Sequence, residues 1–230
     1  MNNYSIKKQS VFIIISVLLL SIIMNVVDMF IKPQYFVKSL IKVVLFLGVP
    51  LIYYLINKNE ITTLKKLFIP RKKSFLISFG LVIVCYVIIL AFYFLLKDHF
   101  DFSNITKSLT SDIGVNSDNF IYVSIYISLC NSFLEEFFFR GFAFITLKNH
   151  MSKKFAYIFS SLIFAFYHIG MTFGWVHIFV FILGFVGLII GGMIFNYLND
   201  KTDNIYSSWI VHMLINFGIN TIGFILFGIL

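Results

Sequence analysis

Two adjacent carboxylates, Glu135 and Glu136, stand inside an apolar run from Phe120 to Phe142, and Arg140 follows one helical turn later. Ionisable groups at membrane depth are costly. They persist where they face a protein interior or a wet cavity and have work to do there. Residues four apart on a helix share a face, so Glu136 and Arg140 meet, with the acid on the favourable N-terminal side. Glu135 lies about 100° further round the helix. The spacing divides the labour: Arg140 holds Glu136 ionised to orient a site, and Glu135 is the freer carboxylate and the candidate general base. Two later runs carry one histidine each. Phe164-Ala-Phe-Tyr-His168 puts a phenyl ring one turn below the imidazole, where it shields the ring from lipid. His212-Met-Leu-Ile-Asn216 puts an imidazole and a carboxamide on one face, and together they can donate to a developing oxyanion.

Each motif has a structural counterpart. Glu136–Arg140 can be an intrahelical pair that lets charge enter a bilayer, His168 a packing histidine, and His212 with Asn216 interhelical glue. Chemistry explains all three motifs at once. The other ionisable and sulfur-bearing groups read as bystanders. His99 and His150 fall in loops, His177 lies at a span end beside Trp175, and Asp28 ends the first run facing water. Cys85 and Cys130 lie in apolar runs and read as small buried hydrophobes rather than a pair. Neither a Ser-His-Asp set nor a Cys-His pair is evident, although Ser132 and Cys130 lie near the glutamates.

The elements that must position these groups are membrane helices. Of 230 residues, 60% are hydrophobic and 19% aromatic, and the mean hydropathy is +0.94, which excludes a soluble domain. Apolar runs occur at 10–27, 39–57, 74–96, 120–142, 155–172, 175–198 and 205–230. The fold class is all-α, a polytopic transmembrane bundle of seven to eight spans, eight if Gly218 breaks the last run. Pro50 lies mid-span and predicts a kink. The first run follows Lys7 and Lys8 but lacks a small-x-small cleavage site, so it reads as a retained span.

With the N-terminus inside, the cytoplasmic segments hold Lys7, Lys8, Lys58, Lys65, Lys66, Arg71, Lys72, Lys73, Lys148, Lys153, Lys154 and Lys201. The outer segments hold Lys32, Lys38, Lys42, Lys97 and Lys107. This bias places the N-terminus in the cytoplasm. The net charge of +8 then reflects anionic lipid rather than nucleic acid. Residues 58–73 form a basic linker that can lie on the inner leaflet. Residues 1–119 read as a transmembrane scaffold with this linker, and 120–230 as the catalytic helical core. Gly187 and Gly191, with Gly184 and Gly192 nearby, read as a close helix–helix contact.

Glu135-Glu136-x-x-x-Arg140, Phe164-x-x-x-His168 and His212-x-x-x-Asn216, in this order, resemble the CAAX-protease and bacteriocin-processing (CPBP, or Abi) family, which is related to the type II CAAX prenyl endopeptidases. The resemblance covers about 120–217. It implies an all-helical intramembrane endopeptidase, with Glu135 and His168 activating water and His212 and Asn216 holding the oxyanion. The competing mechanism is a catalytic zinc held by Glu135, His168 and His212. No His-Glu-x-x-His pair is present, so metal-free glutamate chemistry is preferred and zinc is kept as the alternative cofactor. The expected partners are membrane lipids and a peptide or protein substrate at the inner leaflet of a bacterial cell membrane, with the site in the inner half of the bilayer. The rival functions are a non-enzymatic immunity or regulatory protein and a small proton-coupled transporter. No inverted repeat supports the transporter.

Overall fold

Every apolar run is helical in the computed structural model, which describes residues 3–230, the side chains of 3–6, 72–77, 79 and 82 excepted. The lysines counted at positions 72 and 73 therefore lie outside the described side chains. No strand occurs among the described residues. Helix α1 (Asn3–Val26) runs on through a π turn (Val27–Ile31) and stops at Lys32, which takes up the left-handed conformation (φ 46°). The chain returns through α2 (Tyr35–Val43), a π turn (Val44–Gly48) and α3 (Val49–Ile56). Pro50 falls in the first turn of α3. A proline lacks the N–H that would bond back along the helix, and the wider π turn just before it accommodates that loss.

A short 3-10 turn (Lys58–Glu60) and α4 (Ile61–Leu67) lead into α5 (Lys72–Leu96) and α6 (Ser103–Ile113). The linker is docked on the bundle. Leu67 is fully buried, its carbonyl accepts from the Ile205 amide at 3.2 Å, and its side chain fills the space that a Cβ on Gly141 would need.

The carboxylate-bearing run is one continuous rod: α7 (Phe120–Tyr126), a π turn (Ile127–Asn131), α8 (Ser132–Glu135), a long π segment (Glu136–Thr146) and a 3-10 turn (Leu147–Asn149). It extends past the expected end at 142 because Ala143, Phe144, Ile145 and Leu147 are themselves buried. Next come α9 (Lys153–Tyr167), the one-turn α10 (Ile169–Thr172), α11 (Ile178–Thr202) and α12 (Tyr206–Leu226). Among the described residues, five stretches are long and apolar enough to cross a membrane: Lys7–Ile31, Tyr35–Ile56, Lys153–Thr172, Ile178–Thr202 and Tyr206–Leu226.

Gly218 does not break α12. A Cβ there would lie 3.2 Å from the Tyr86 ring, so the glycine lets α12 lie close along α5. The glycines of α11 do not behave as one packing stripe. A Cβ on Gly192 would meet the Ser161 backbone at 3.0 Å, whereas Gly184, Gly187 and Gly191 have nothing within 4 Å. Helix α11 therefore contacts α9 closely at Gly192 and stands clear at the other three glycines.

Three bystanders also differ from the sequence reading. His150 is buried rather than surface-exposed. Its Nε2 lies 3.0 Å from Glu60 Oε1, which ties the linker to the end of the carboxylate rod. Cys130 is exposed, and Cys85 is only partly buried. His177, by contrast, caps α11 by accepting from the Phe179 amide at 3.2 Å.

Candidate functional site

The end of α8 and the π segment behind it present the two carboxylates inward. Both are buried. Wide π turns occur often at functional sites. Glu136 Oε1 lies 2.8 Å from His212 Nδ1, and its Oε2 lies 3.6 Å from Arg140 Nε. The expected Glu136–Arg140 meeting occurs, though loosely, because π winding bonds i to i+5 and offsets the i,i+4 pair. None of the Arg140 nitrogens has a hydrogen-bond partner within the protein. Its guanidinium instead lies over the rings of Phe164, at 3.9 Å, and Phe195, at 4.9 Å, and aromatic faces compensate such a cation. Phe195 also stacks on His212, with ring centroids 5.3 Å apart.

Glu135 is not the freer carboxylate. Its Oε1 accepts from Lys42 Nζ at 2.6 Å, from Asn131 Nδ2 at 2.9 Å and from the Tyr167 hydroxyl at 3.4 Å. Only Oε2 remains. It faces His212 Nε2 at 3.7 Å and His168 Nε2 at 3.9 Å.

His168 sits at the break between α9 and α10. Its amide bonds back to Ala165 rather than Phe164, and the Phe164 carbonyl accepts from His168 Nδ1 at 2.7 Å. The helix end thus supplies the acceptor that orients the ring. Phe164 packs edge-on against the imidazole, with centroids 4.7 Å apart, as its spacing implies. Asn25 of α1 anchors the break by accepting from the Gly170 amide at 2.6 Å and donating to the Phe166 carbonyl at 3.2 Å. Both imidazoles are held through Nδ1, which turns both Nε2 atoms toward Glu135. Asn216 lies one turn beyond His212 but donates to the Ile127 carbonyl at 3.3 Å, a group in the π turn of the facing rod.

Two further corrections concern α1 and α2. Asp28 does not face water. Its carboxylate lies 2.6 Å from Lys38 Nζ, and both side chains are buried. Lys38 and Lys42 are not loop residues; they occupy successive turns of one face of α2. Asp28, Lys38, Lys42, Glu135, Glu136 and Arg140 have side chains at most 7% exposed, so three acids and three bases neutralise one another in the interior. Lys42, Asn131 and Tyr167 are the site residues that motif reading misses. The available signal was the i,i+4 spacing of Lys38 and Lys42 within an otherwise apolar helix.

Glu135 Oε2 and the two Nε2 atoms are the donor types that a zinc ion takes, but the same carboxylate already carries the Lys42 ammonium. No group of three or more His, Cys, Asp or Glu is arranged to hold a metal ion among the described residues.

Apolar membrane helices and a buried carboxylate–histidine centre define an all-α membrane protein with an internal site. Residues 117–218 match the family model described as type II CAAX prenyl endopeptidase Rce1-like. The match contains Glu135, Glu136, Arg140, His168, His212 and Asn216 and excludes Lys42. It supports a CAAX-type intramembrane protease activity for the chain. No curated protein and no solved structure gives a match.

Proposed function

We propose that the chain is an endopeptidase that cleaves membrane-associated peptides or proteins with water activated by Glu135. The observation that carries this reading is the convergence of two imidazole Nε2 atoms on the one free oxygen of Glu135, at 3.7 and 3.9 Å, within the family-matched segment. Peptide hydrolysis needs an attacking water, a base, a stabilised oxyanion and a proton for the leaving amine. Water placed between Glu135 Oε2 and His168 Nε2 attacks the carbonyl carbon. Glu135 takes the proton and returns it to the amine.

The two histidines differ in what holds Nδ1. His168 leans on a neutral carbonyl, so its Nε2 lone pair is free to accept from water. His212 leans on the Glu136 carboxylate. In its charged form it donates from both nitrogens, and Nε2 then serves the oxyanion. Asn216 spends one amide hydrogen on Ile127 and keeps a second for that role.

A metal-free centre is favoured because the Lys42 ammonium on Glu135 opposes a second cation at the same carboxylate. Removing buried Lys38 and Lys42 from the loop charges leaves Lys32, Lys97 and Lys107 on the outer side. This strengthens the reading of a cytoplasmic N-terminus in a bacterial cell membrane. Substrates are then peptides at the inner leaflet, such as CAAX-like precursors, leader peptides or bacteriocins in self-immunity.

The test compares new peptide N-termini in membranes of cells expressing the wild type or Glu135→Gln at equal level. Ends present only with the wild type support the protease and identify its substrates. Identical ends refute it and leave a binding or immunity role.

A further inference from the structure

We propose that Lys42, which lies outside the family-matched segment, is a positioning residue of the hydrolytic centre, fixing one oxygen of Glu135 so that the other is presented to water. The proposal rests on the protease reading and assigns part of that site to the N-terminal hairpin. Lys42 Nζ lies 2.6 Å from Glu135 Oε1 and 2.5 Å from Asn131 Oδ1. Asn131 Nδ2 in turn donates to the same Oε1 at 2.9 Å. Lysine, amide and carboxylate therefore close a three-membered ring of hydrogen bonds that leaves the carboxylate little freedom to rotate.

The surroundings hold the ammonium in place. It sits 4.9 Å over the Tyr167 ring and 5.9 Å from that of Phe46, and its side chain is 6% exposed. Phe46 lies one turn further along the same rod and is wedged between Phe138, Phe139 and Tyr167. The α2 rod is thus seated against the carboxylate rod at the level of the site. One turn before Lys42, Lys38 is taken up by Asp28. Lys42 is left as the hairpin cation that serves Glu135.

The charge arithmetic gives the same assignment. Arg140 and Glu136 balance each other, so Glu135 is the one carboxylate of the centre that needs a counter-charge from elsewhere in the fold, and Lys42 supplies it. A carboxylate that is both ionised and locked is a base whose free oxygen has a fixed direction, and preorganisation of that kind acts on turnover more than on binding.

The experiment uses full-length protein in proteoliposomes and a peptide spanning a cleavage site found with the wild type but not with Glu135→Gln. Lys42→Met and Lys42→Gln are expected to lower kcat about 100-fold with KM changed less than about threefold. Lys42→Arg, which keeps the cation, is expected to recover at least tenfold over Lys42→Met. Asn131→Ala, which removes the second anchor, is expected to lower kcat about tenfold. Thermal melts of each variant report the folded fraction.

Wild-type kcat in Lys42→Met, with Glu135→Gln inactive, overturns the proposal and leaves the protease reading standing. Losses that follow only the folded fraction in all three Lys42 variants overturn it as well, because the lysine is then purely structural. If no cleavage separates wild type from Glu135→Gln, the protease reading fails and the proposal fails with it.

Discussion

In the family-matched segment, residues 117–218, Glu136, His168 and His212 each belong to a short motif whose other member lies four residues away. In the hairpin built from α1, α2 and α3, the buried charged side chains are Asp28, Lys38 and Lys42, with no pattern beyond the four-residue spacing of the two lysines. Both regions nevertheless bury charge to the same degree. The difference lies in where the neutralising partner sits. Glu136 finds Arg140 on its own rod, whereas Glu135 finds Lys42 on another, 93 residues away in sequence. The hairpin therefore contributes Lys42 to the buried charge centre.

That comparison breaks most sharply at Glu135, where the two regions meet. Glu135→Gln keeps the volume and removes the base. Its turnover is expected to fall by about 10²–10⁴, the usual worth of a general base, measured as the rate of appearance of wild-type-dependent peptide ends. A residual rate within tenfold of wild type would move the base to another group. The next largest effect belongs to the hairpin alone. Lys38→Met strands the buried Asp28 carboxylate, and breaking such a pair costs about 3–5 kcal/mol. Asp28→Leu combined with Lys38→Met removes both charges and is expected to melt closer to wild type than Lys38→Met does. If the double variant melts lower than the single one, the pair is not what stabilises the hairpin.

Much of the matched segment was legible from spacing. The rule that residues four apart share a face placed Glu136 beside Arg140, and the same rule placed Phe164 against His168. The fold class was legible from hydropathy alone, since long apolar runs in a bilayer have little option but to be helical. What spacing could not reach was any contact between rods. Lys38 reads as a loop charge because α2 begins at Tyr35, before the apolar run at 39–57, and Lys42 lies in the first turn of that run, where a lysine reads as belonging to the span's end. Asp28 reads as facing water because it ends the first apolar run, and its partner Lys38 lies on the next rod. The π segment from Glu136 to Thr146 has no periodic signature in so apolar a stretch, and it loosens the Glu136–Arg140 geometry that α-helical spacing implied.

The glycines of α11 sharpen the comparison at a smaller scale, because similar residues differ only in what faces them. Gly192→Ala drives a Cβ to 3.0 Å from the Ser161 backbone, and overpacking of this kind costs about 1–3 kcal/mol. Gly187→Ala meets nothing within 4 Å and gains helix propensity of about 1 kcal/mol. Melting temperatures of the two variants should move in opposite directions. Equal shifts would show that α11 lies closer to the bundle at Gly187 than it does here.

The smallest expected effect tests whether the linker is docked on the bundle or only rests on the leaflet. Burial alone would push the Glu60 carboxyl up, but hydrogen bonds from His150 and Thr63 outweigh it and hold the carboxyl below its ordinary value. A carboxyl depressed by folding adds stability that is fully present above its unfolded pKa, near 4.3, and is lost as pH falls through the folded value. Glu60→Gln should therefore melt below wild type at pH 7, by an amount on the order of a single charge-assisted hydrogen bond, about 1.5–3 kcal/mol or less. The gap between the two proteins should close as the pH is lowered through the carboxylate range. A gap that stays constant as the pH falls through and below the whole carboxylate range would mean that the ionised carboxylate contributes nothing. The linker would then be docked through Leu67, by its burial beside Gly141 and by the Ile205 amide on its carbonyl.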